Sequence, residues 1–222
     1  MKRLSIAIDG PAGAGKSSVA KILAKEMGYT YLDTGAMYRA LTYEALRCGL
    51  SEPAAIVRMA EAVSMRVLPG KDTMRVFLGD EEVTEYLRTP EVSAAVSAVS
   101  AIPEIRTLMV NLQRKLSEAG GTVLDGRDIG TVVLPHADVK IFLTASPHVR
   151  ALRRFTEMKE KNPSITVDEI EADIRERDEK DSTRATSPLR PAEDAIHLDN
   201  SDWTLAETAE AIREICRNKM GD

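Results

Sequence analysis

The sequence predicts an α/β fold in which a five-stranded parallel sheet is flanked by helices. The first observation is that amphipathic stretches alternate with five short apolar runs, at residues 4–8, 29–32, 122–124, 139–143 and 195–198. The second is that a glycine-rich turn follows the first apolar run directly. Strands that alternate with helices form a parallel sheet that helices cover on both faces.

Helical periodicity fills the segments between the apolar runs. The predicted helices are residues 18–27, 36–46, 105–119 and 205–217. A longer apolar-periodic stretch, residues 92–116, contains Pro103. Because proline interrupts a helix, Pro103 should separate two helices.

One segment departs from the alternation of strands and helices. β-like runs at residues 65–68 and 74–78 flank the turn Pro69-Gly70-Lys71-Asp72, and Gly79-Asp80 leads into residues 81–83. Short β-like runs joined by tight turns indicate an antiparallel meander. We therefore expect a small antiparallel β insert within about residues 65–92.

A second departure is the very polar segment from residue 147 to residue 190. Its ten basic and ten acidic residues balance, and its arginines are Arg150, Arg153, Arg154, Arg175, Arg177, Arg184 and Arg190. Such a segment is typical of a solvated helical hairpin with i,i+4 pairs, for example Glu157 with Lys161. The alternative is a mobile lid, about residues 147–185, that carries arginines to a bound anion. Periodicity alone favours the hairpin.

The glycine-rich turn has the spacing G-x-x-x-x-G-K-S of a P-loop, which places the chain in the P-loop NTPase fold. Its residues are Gly10, Pro11, Ala12, Gly13, Ala14, Gly15, Lys16 and Ser17, with Ser18 next in the helix. Glycines let backbone N–H groups converge on an anion, and the helix adds the positive end of its dipole. Lys16, expected to face solvent in the empty loop, should reach the β- and γ-phosphates of a nucleoside triphosphate, and the Ser17 hydroxyl should bind Mg²⁺.

Composition fits one globular domain that acts on small molecules. The chain has 222 residues and a net charge of −5, which argues against a protein that coats nucleic acid. Cys48 and Cys216 lie far apart, so we expect free, buried thiols in a reducing cytosol. No apolar run approaches the ~20 residues of a membrane span, and the chain enters a strand with no signal peptide before it. A cytoplasmic protein without a membrane partner is predicted.

A P-loop alone is compatible with kinases, GTPases, ATPase motors and sulfotransferase-like proteins. The guanine-reading pattern N-K-x-D of GTPases is not in the sequence. A motor would normally need an extended second acidic motif and a larger core. Phosphoryl transfer requires several positive donors around a highly charged centre, and arginines hold phosphate in bidentate fashion. Segments 33–39, 125–128 and 177–184 supply such arginines, and Asp125 can hold Mg²⁺ or its water. A small-molecule kinase is favoured.

These segments resemble those of the cytidylate kinases, a bacterial family of nucleoside monophosphate kinases. The resemblance rests on residues 8–11 with the P-loop, 32–39, 88–92, 125–133, 140–143 and 176–184. It implies a core of residues 1–64, 93–146 and 186–222, a monophosphate-binding insert of about residues 65–92 and a lid of about residues 147–185. It also implies Mg²⁺-dependent transfer of the ATP γ-phosphoryl group to CMP or dCMP.

The resemblance also implies a role for each matching residue. The expected catalytic residues are Lys16, Arg127, Arg177 and Arg184. The expected ATP-binding residues are those of the P-loop with Ser18, Arg153 and Arg154, and the expected Mg²⁺ ligands are Ser17 and Asp125. The expected acceptor-binding residues are Thr34, Tyr38, Arg39, Ser97, Arg106, Gly126, Arg127, Asp128, Arg177, Asp181 and Arg184. Lys180 stands where some relatives have arginine.

Within the acceptor site, Asp128 and Arg106 would read the base together with Ser97. Cytosine offers an amine donor beside N3 and O2 acceptors, so a carboxylate can accept from the amine while an arginine donates to the ring. Uracil presents a carbonyl in place of the amine, and a site built to hydrogen-bond one polar group rejects such a replacement. CMP or dCMP is therefore expected over UMP.

Three alternatives stay open at this stage. The first is a kinase of the same fold with another acceptor, such as UMP or a small metabolite; the second is a regulatory P-loop module without turnover. The third is a nucleic-acid-binding protein. We expect ATP and CMP or dCMP as the partners, a monomer, and packing roles for Tyr43 and Trp203. The three histidines have no spacing typical of a metal site.

Overall fold

The computed structural model describes residues 3–70, 74–160 and 162–221. In these ranges the strands are β1 (Ser5–Asp9), β2 (Thr30–Asp33), β3 (Met65–Leu68), β4 (Arg75–Leu78), β5 (Glu81–Glu82), β6 (Thr122–Gly126), β7 (Val139–Thr144) and β8 (Ile196–Asp199). The helices are α1 (Lys16–Met27), α2 (Thr34–Arg47), α3 (Pro53–Ala62), α4 (Pro90–Ala101), α5 (Pro103–Ser117), α6 (Pro147–Met158), α7 (Val167–Thr183) and α8 (Leu205–Met220). A 3-10 turn covers Thr84–Arg88 and a π-helical turn covers Ile129–Val133. Lys71 and Asp72 of the predicted turn, and Lys161 of the predicted ion pair, lie outside the described residues.

The predicted parallel sheet is confirmed. Within the described ranges it has five strands in the order β2-β6-β1-β7-β8, and each neighbouring pair is parallel. The strand register places Asp33 beside Asp125 and Asp9 beside Gly126, so these three strands end at the same edge. The chain order reverses at β1, and ligands of such open sheets bind at the carboxyl ends of the strands near this point.

The sheet separates two apolar cores. Strand alternation sends Leu32 and Leu124 to one face, where α2, α4, α5 and the insert cover them. The same alternation sends Ile8 and Val123 to the other face, where they pack with residues of α1 and α8. Aliphatic side chains dominate both cores, as the scarcity of aromatic residues requires.

The predicted antiparallel insert is also confirmed, with strand order β3-β4-β5. Its buried side chains Val76 and Leu78 belong to the same core as α2. On the outside, Tyr43 stacks on Tyr86 with ring centroids 5.0 Å apart and an interplanar angle of 7°. Tyr43 thus packs as expected.

Pro103 separates two helices as predicted, because α4 ends at Ala101 and α5 begins at Pro103. The two helices are bent by 96° at this break. In the described ranges, no single helix is long and apolar enough to cross a membrane; the bent pair α4–α5 alone meets that length and composition when taken together.

The polar segment forms the predicted helical hairpin. Helices α6 and α7 pack on each other through a small core that includes Ala151, Ile170 and Ile174. One expectation about burial is wrong: Cys48 is exposed at the end of α2. Cys216 is buried as expected. Trp203 is 38% exposed in the loop before α8.

Candidate active site

The phosphate-binding loop occupies residues 10–15, between β1 and α1. Gly10 has φ +146°, and a Cβ at this position would lie 1.9 Å from the Leu143 carbonyl oxygen. Only glycine fits so close to β7. Gly15 is left-handed, with φ 85°, and starts α1 without a side-chain cap from the described residues. The first N–H groups of α1 are therefore available to an anion.

Lys16 is buried, which corrects the expectation that it faces solvent. Its side chain folds back across the loop, and Nζ donates a hydrogen bond of 2.7 Å to the Pro11 carbonyl oxygen. Burial, with the positive charge of Arg127, lowers the pKa of Lys16 to about 7, although Asp125 opposes the shift. The ammonium is thus held by one neutral acceptor in a poorly solvated position.

Ser17 and Asp125 form the corner expected to hold Mg²⁺. The Ser17 hydroxyl donates to Asp125 Oδ2 at 2.7 Å, and the Tyr31 hydroxyl donates to Oδ1 at 2.8 Å. Burial and the nearby Asp33 raise the pKa of Asp125. Mg²⁺ prefers oxygen ligands and is usually held by one or two carboxylates together with substrate phosphates and water. This donor set fits that ion, although the described residues contain no cluster of three or more His, Cys, Asp or Glu side chains suited to a metal.

Thr34 and Arg39 lie at the start of α2, next to this corner. The Thr34 hydroxyl donates to the Asp125 carbonyl oxygen at 2.7 Å, which joins the start of α2 to the end of β6. Arg39 Nε is buried without a hydrogen-bond partner among the described residues, and burial lowers the pKa of this guanidinium. A desolvated guanidinium with an unused donor is suited to an anionic ligand.

Arg106 and Asp128 form a buried ion pair. Arg106 also donates to the Ser100 carbonyl oxygen at 3.0 Å, and its guanidinium lies 5.4 Å from the ring centroid of Tyr38. The Tyr38 hydroxyl is buried and has no hydrogen-bond partner in the described part of the chain. Ser97 is half-buried, and its carbonyl oxygen accepts from the Ser100 hydroxyl at 3.2 Å. Ser97 is thus linked to the pair only through Ser100, the residue whose carbonyl oxygen accepts from Arg106.

The remaining arginines surround Asp181 near the end of α7. Arg127 Nε donates to Asp181 Oδ2 at 2.8 Å, and Arg184 lies 4.0 Å from the other oxygen. Burial alone would raise the pKa of Asp181, but Arg127, Arg177 and Arg184 together lower it. Arg127 also donates to the Gly126 carbonyl oxygen at 3.3 Å.

Arg177 and Arg184 keep unused donors near this carboxylate. Arg177 Nε and Arg184 Nη2 are buried, and neither has a hydrogen-bond partner among residues 3–70, 74–160 and 162–221. Burial, with the charge of Arg127, lowers the pKa of Arg177 to about 10. Arg184 Nη2 is 3.9 Å from Asp128 Oδ1, so this arginine lies between the two carboxylates.

Arg153 and Arg154 of α6, which were expected to bind ATP, have different surroundings. Arg153 donates to the side-chain and main-chain oxygens of Asn200, at 3.1 and 2.8 Å. Asn200 in turn donates to the Ala14 carbonyl oxygen at 3.1 Å. Arg154 is half-buried near Arg177, and its charge contributes to the lowered pKa of Arg177. Ser18 is exposed on the first turn of α1, whereas Lys180 is exposed and pairs with Glu176.

Sequence reasoning gave no role to Asp9. This buried carboxylate accepts the Ile129 N–H at 2.8 Å and the Gly130 N–H at 2.7 Å, and so fixes the turn that follows Asp128. Burial raises its pKa to about 6. The sequence feature that could have identified Asp9 is its position: a carboxylate at the end of an apolar strand, directly before the glycine-rich loop.

Arg150 was counted only as one arginine of the polar segment. It is buried, and it donates to the Ala145 carbonyl oxygen at 2.8 Å and to the Ala12 carbonyl oxygen at 3.0 Å. It also pairs with Asp178 of α7 at 2.7 Å. Arg150 therefore connects α6 and α7 to the phosphate-binding loop, a contact that helical periodicity does not reveal.

The fold and the sequence can both be compared with known proteins. The shikimate kinase from Bacteroides thetaiotaomicron superposes with a TM-score of 0.51 at 15% identity, covering 97% of this chain and 99% of that one. A protein of unknown function from Eubacterium ventriosum superposes with a TM-score of 0.53 at 14% identity, covering 96% and 98%. At such identities the likeness shows the fold alone.

Proteins found by sequence comparison are far more similar to this chain than these two structures are. The cytidylate kinase of Carboxydothermus hydrogenoformans is 49% identical over 97% of this chain and 98% of its own length. That of Streptococcus sanguinis is 51% identical over 96% of each chain. The sequence model of the family described as Cytidylate kinase matches residues 6–218. With its P-loop, its insert and its arginine-lined site at the carboxyl ends of the strands, the chain belongs to the cytidylate kinase family.

Proposed function

We propose that this enzyme transfers the γ-phosphoryl group of ATP to CMP or dCMP and releases ADP with CDP or dCDP. The observation that carries the proposal is the buried pair of Arg106 and Asp128. Asp128 lies in the turn that follows β6, the strand that carries Asp125, and Arg106 reaches it from α5, so the proposed base reader and phosphate site share one edge of the sheet. Family membership supports the same substrates.

The donor is held by the phosphate-binding loop. Residues 10–18 supply backbone N–H groups and hydroxyls to the ATP phosphates, and Lys16 exchanges its neutral partner, the Pro11 carbonyl, for charged phosphate oxygens. Ser17 and Asp125 would hold Mg²⁺, which when bound neutralises charge on the phosphates. Arg153 and Arg154 bring further positive charge from α6.

The acceptor phosphate is held by Thr34, Arg39 and Arg127. Arg39 supports this role because its desolvated guanidinium keeps an unused donor. A phosphate oxygen of the acceptor is already anionic and attacks directly, so the reaction needs no covalent enzyme intermediate. Catalysis is then alignment of the two substrates and neutralisation of charge by Lys16 and the arginines.

The base is read by Asp128 and Arg106, with Ser97 and Tyr38 beside them. Asp128 accepts from the cytosine amine, and Arg106 donates to a ring acceptor. Tyr38 supports a polar ligand here, since its hydroxyl is buried and has no hydrogen-bond partner among the described residues. Gly126 lets Thr34 and Ile129 approach the end of β6, because a Cβ there would lie 2.6 Å from Ile129 Cδ1 and 2.9 Å from the Thr34 hydroxyl.

The sugar is contacted by Arg177 and Asp181, and Arg184 bridges from the sugar toward phosphate. All three lie at the end of the lid, about residues 147–185. Closure of the lid and of the insert, about residues 65–92, excludes water that would otherwise hydrolyse ATP. A cytoplasmic monomer with no nucleic-acid partner stays a prediction from composition.

The test is the release of ADP with a panel of acceptors: CMP, dCMP, UMP, AMP and shikimate. We expect CMP and dCMP to be used at least about tenfold better than UMP, because UMP turns a carbonyl toward Asp128. Equal kcat/KM for UMP and CMP would overturn the cytosine-specific assignment. ATP hydrolysis that no acceptor stimulates would instead favour a regulatory module.

A further inference from the structure

We propose that Tyr31 is a positioning residue for the phosphoryl-transfer site: its hydroxyl holds the Asp125 carboxylate in the orientation that receives the metal–nucleotide complex. This inference rests on the Mg²⁺-dependent function proposed above. Its basis is that, among the residues that the structure describes, each oxygen of the Asp125 carboxylate has one side-chain donor, Ser17 at 2.7 Å and Tyr31 at 2.8 Å.

The sheet register explains why this contact requires a tyrosine. Tyr31 on β2 lies beside Val123 of β6, and Asp33 lies beside Asp125. Tyr31 therefore starts two positions, ~6.6 Å, before the carboxylate that it contacts. Alternation places Tyr31, Val123 and Asp125 on the same face, and a long side chain that leans along the strand covers the distance.

The tyrosine ring is itself held in place. It packs at the edge of the core formed by α1 and this face of the sheet. Lys21 of α1 lies over the ring with Nζ 6.0 Å from the centroid. A ring fixed by packing presents its hydroxyl at a defined point, so the hydrogen bond restricts rotation of the Asp125 carboxylate.

Binding of Mg²⁺ should affect the two hydrogen bonds to Asp125 differently. Ser17 is expected to turn toward Mg²⁺, which leaves Tyr31 as the donor that still holds the carboxylate. Groups that hold a metal ligand by hydrogen bonds set its orientation, and their loss typically costs about 10–100-fold in metal affinity or activity. Tyr31 thus acts through Asp125 and does not touch the reacting atoms.

Tyr31→Phe tests the inference because it removes the hydroxyl and keeps the ring. Calorimetry would measure ATP binding with excess EDTA and across a Mg²⁺ titration, and the ADP-release assay would give kcat, KM for CMP and the Mg²⁺ concentration for half-maximal rate. We expect metal-free ATP affinity and KM for CMP within about twofold of wild type, and a half-maximal Mg²⁺ concentration raised about 10–100-fold.

Tyr29→Phe is the matched control. Tyr29 lies two residues earlier and its hydroxyl accepts the Leu4 N–H at 2.9 Å, far from any role proposed here. It should show wild-type Mg²⁺ dependence. Thermal unfolding of both variants, with the metal-free ATP affinity, separates loss of fold from loss of positioning.

Each outcome decides the question. An unchanged Mg²⁺ dependence in Tyr31→Phe overturns the role of Tyr31 and leaves the proposed metal corner standing. The same loss in Tyr29→Phe overturns it as well, because the effect would then not depend on Asp125. A wild-type enzyme whose ATP binding ignores Mg²⁺ overturns the metal corner itself, and Tyr31 with it.

Discussion

Arg106 of α5 and Asp128 of the turn after β6 form an ion pair that is almost completely buried, with 3% and 5% of the two residues exposed. Each is the main charged partner of the other. The attraction within a buried pair of this kind only offsets the cost of taking both charges out of water, but removal of one partner leaves an uncompensated charge and typically costs about 3–5 kcal/mol. The pair proposed to read the base is therefore also part of the structure.

Asp128→Asn probes base reading and keeps the volume of the side chain, although buried Arg106 loses its countercharge and the variant should be less stable than wild type. The amide keeps an oxygen for Arg106 and adds a donor that can face the uracil carbonyl. We expect the ratio of kcat/KM for CMP over UMP to fall at least about tenfold, measured by ADP release. Asp194→Asn, an exposed carboxylate paired with Lys140, is the control and should keep the wild-type ratio. An unchanged ratio in Asp128→Asn would show that another residue reads the base.

Arg39→Gln tests the acceptor-phosphate site. The change removes a guanidinium that has an unused buried donor, so KM for CMP should rise at least about tenfold while KM for ATP stays near wild type. Arg47→Gln, on the same helix, removes an exposed arginine that pairs with Glu44 and Glu81. That control should leave both constants unchanged. A rise in KM for ATP alone would move Arg39 to the donor side.

Lys16→Met separates the catalytic role of Lys16 from its place in the fold. Methionine is apolar and of similar length, so the buried ammonium is removed without leaving a large cavity. Turnover should fall at least about 100-fold through loss of phosphate stabilisation. The free energy of unfolding, from urea denaturation, should stay the same or rise, because no charge is desolvated. A marked loss of stability would contradict this account of the burial of Lys16.

Asp9 predicts a pH dependence of stability. Its pKa is about 6 in the folded chain, against an ordinary value of 3.8. Between these values the folded state binds more protons than the unfolded state, so this contribution to stability is fully present below pH 3.8 and is lost as the pH rises through 6. The free energy of unfolding of wild type relative to Asp9→Asn should therefore be about 2 kcal/mol more favourable at pH 4.5 than at pH 7. Urea denaturation at both values measures it, and a difference that does not vary with pH would contradict it.

Most of the fold was predictable because its signals are local. The five strands, the β insert and the helix break at Pro103 each follow from a short run of sequence. That Arg106 and Asp128 serve one site was predicted through resemblance to a family, since nothing local links positions that lie on different elements. Their ion pair with each other was not predicted and is seen only in the structure.

The rest depends on contacts that only the folded chain creates. In the sequence, Tyr31 is only one residue of a short predicted strand. Its contact with Asp125 depends on the register of β2 against β6, which the sequence does not reveal. In the sequence, Arg150 is one of several charged residues of a polar helix. In the structure it is buried and donates a hydrogen bond to the Ala12 carbonyl oxygen. The expectation for Lys16 was wrong for a related reason: a charged side chain was assumed to seek water, whereas a carbonyl of its own loop holds it.

The β insert has a consequence for attempts to redesign acceptor choice. Val76 and Leu78 are built into the same apolar core as α2, the helix that carries Thr34, Tyr38 and Arg39. The insert is therefore not an exchangeable module. Grafting that of a kinase with another acceptor would remove apolar contacts from α2 and shift the residues proposed to hold the phosphate, so point substitutions around Asp128 are the better route to a change of acceptor.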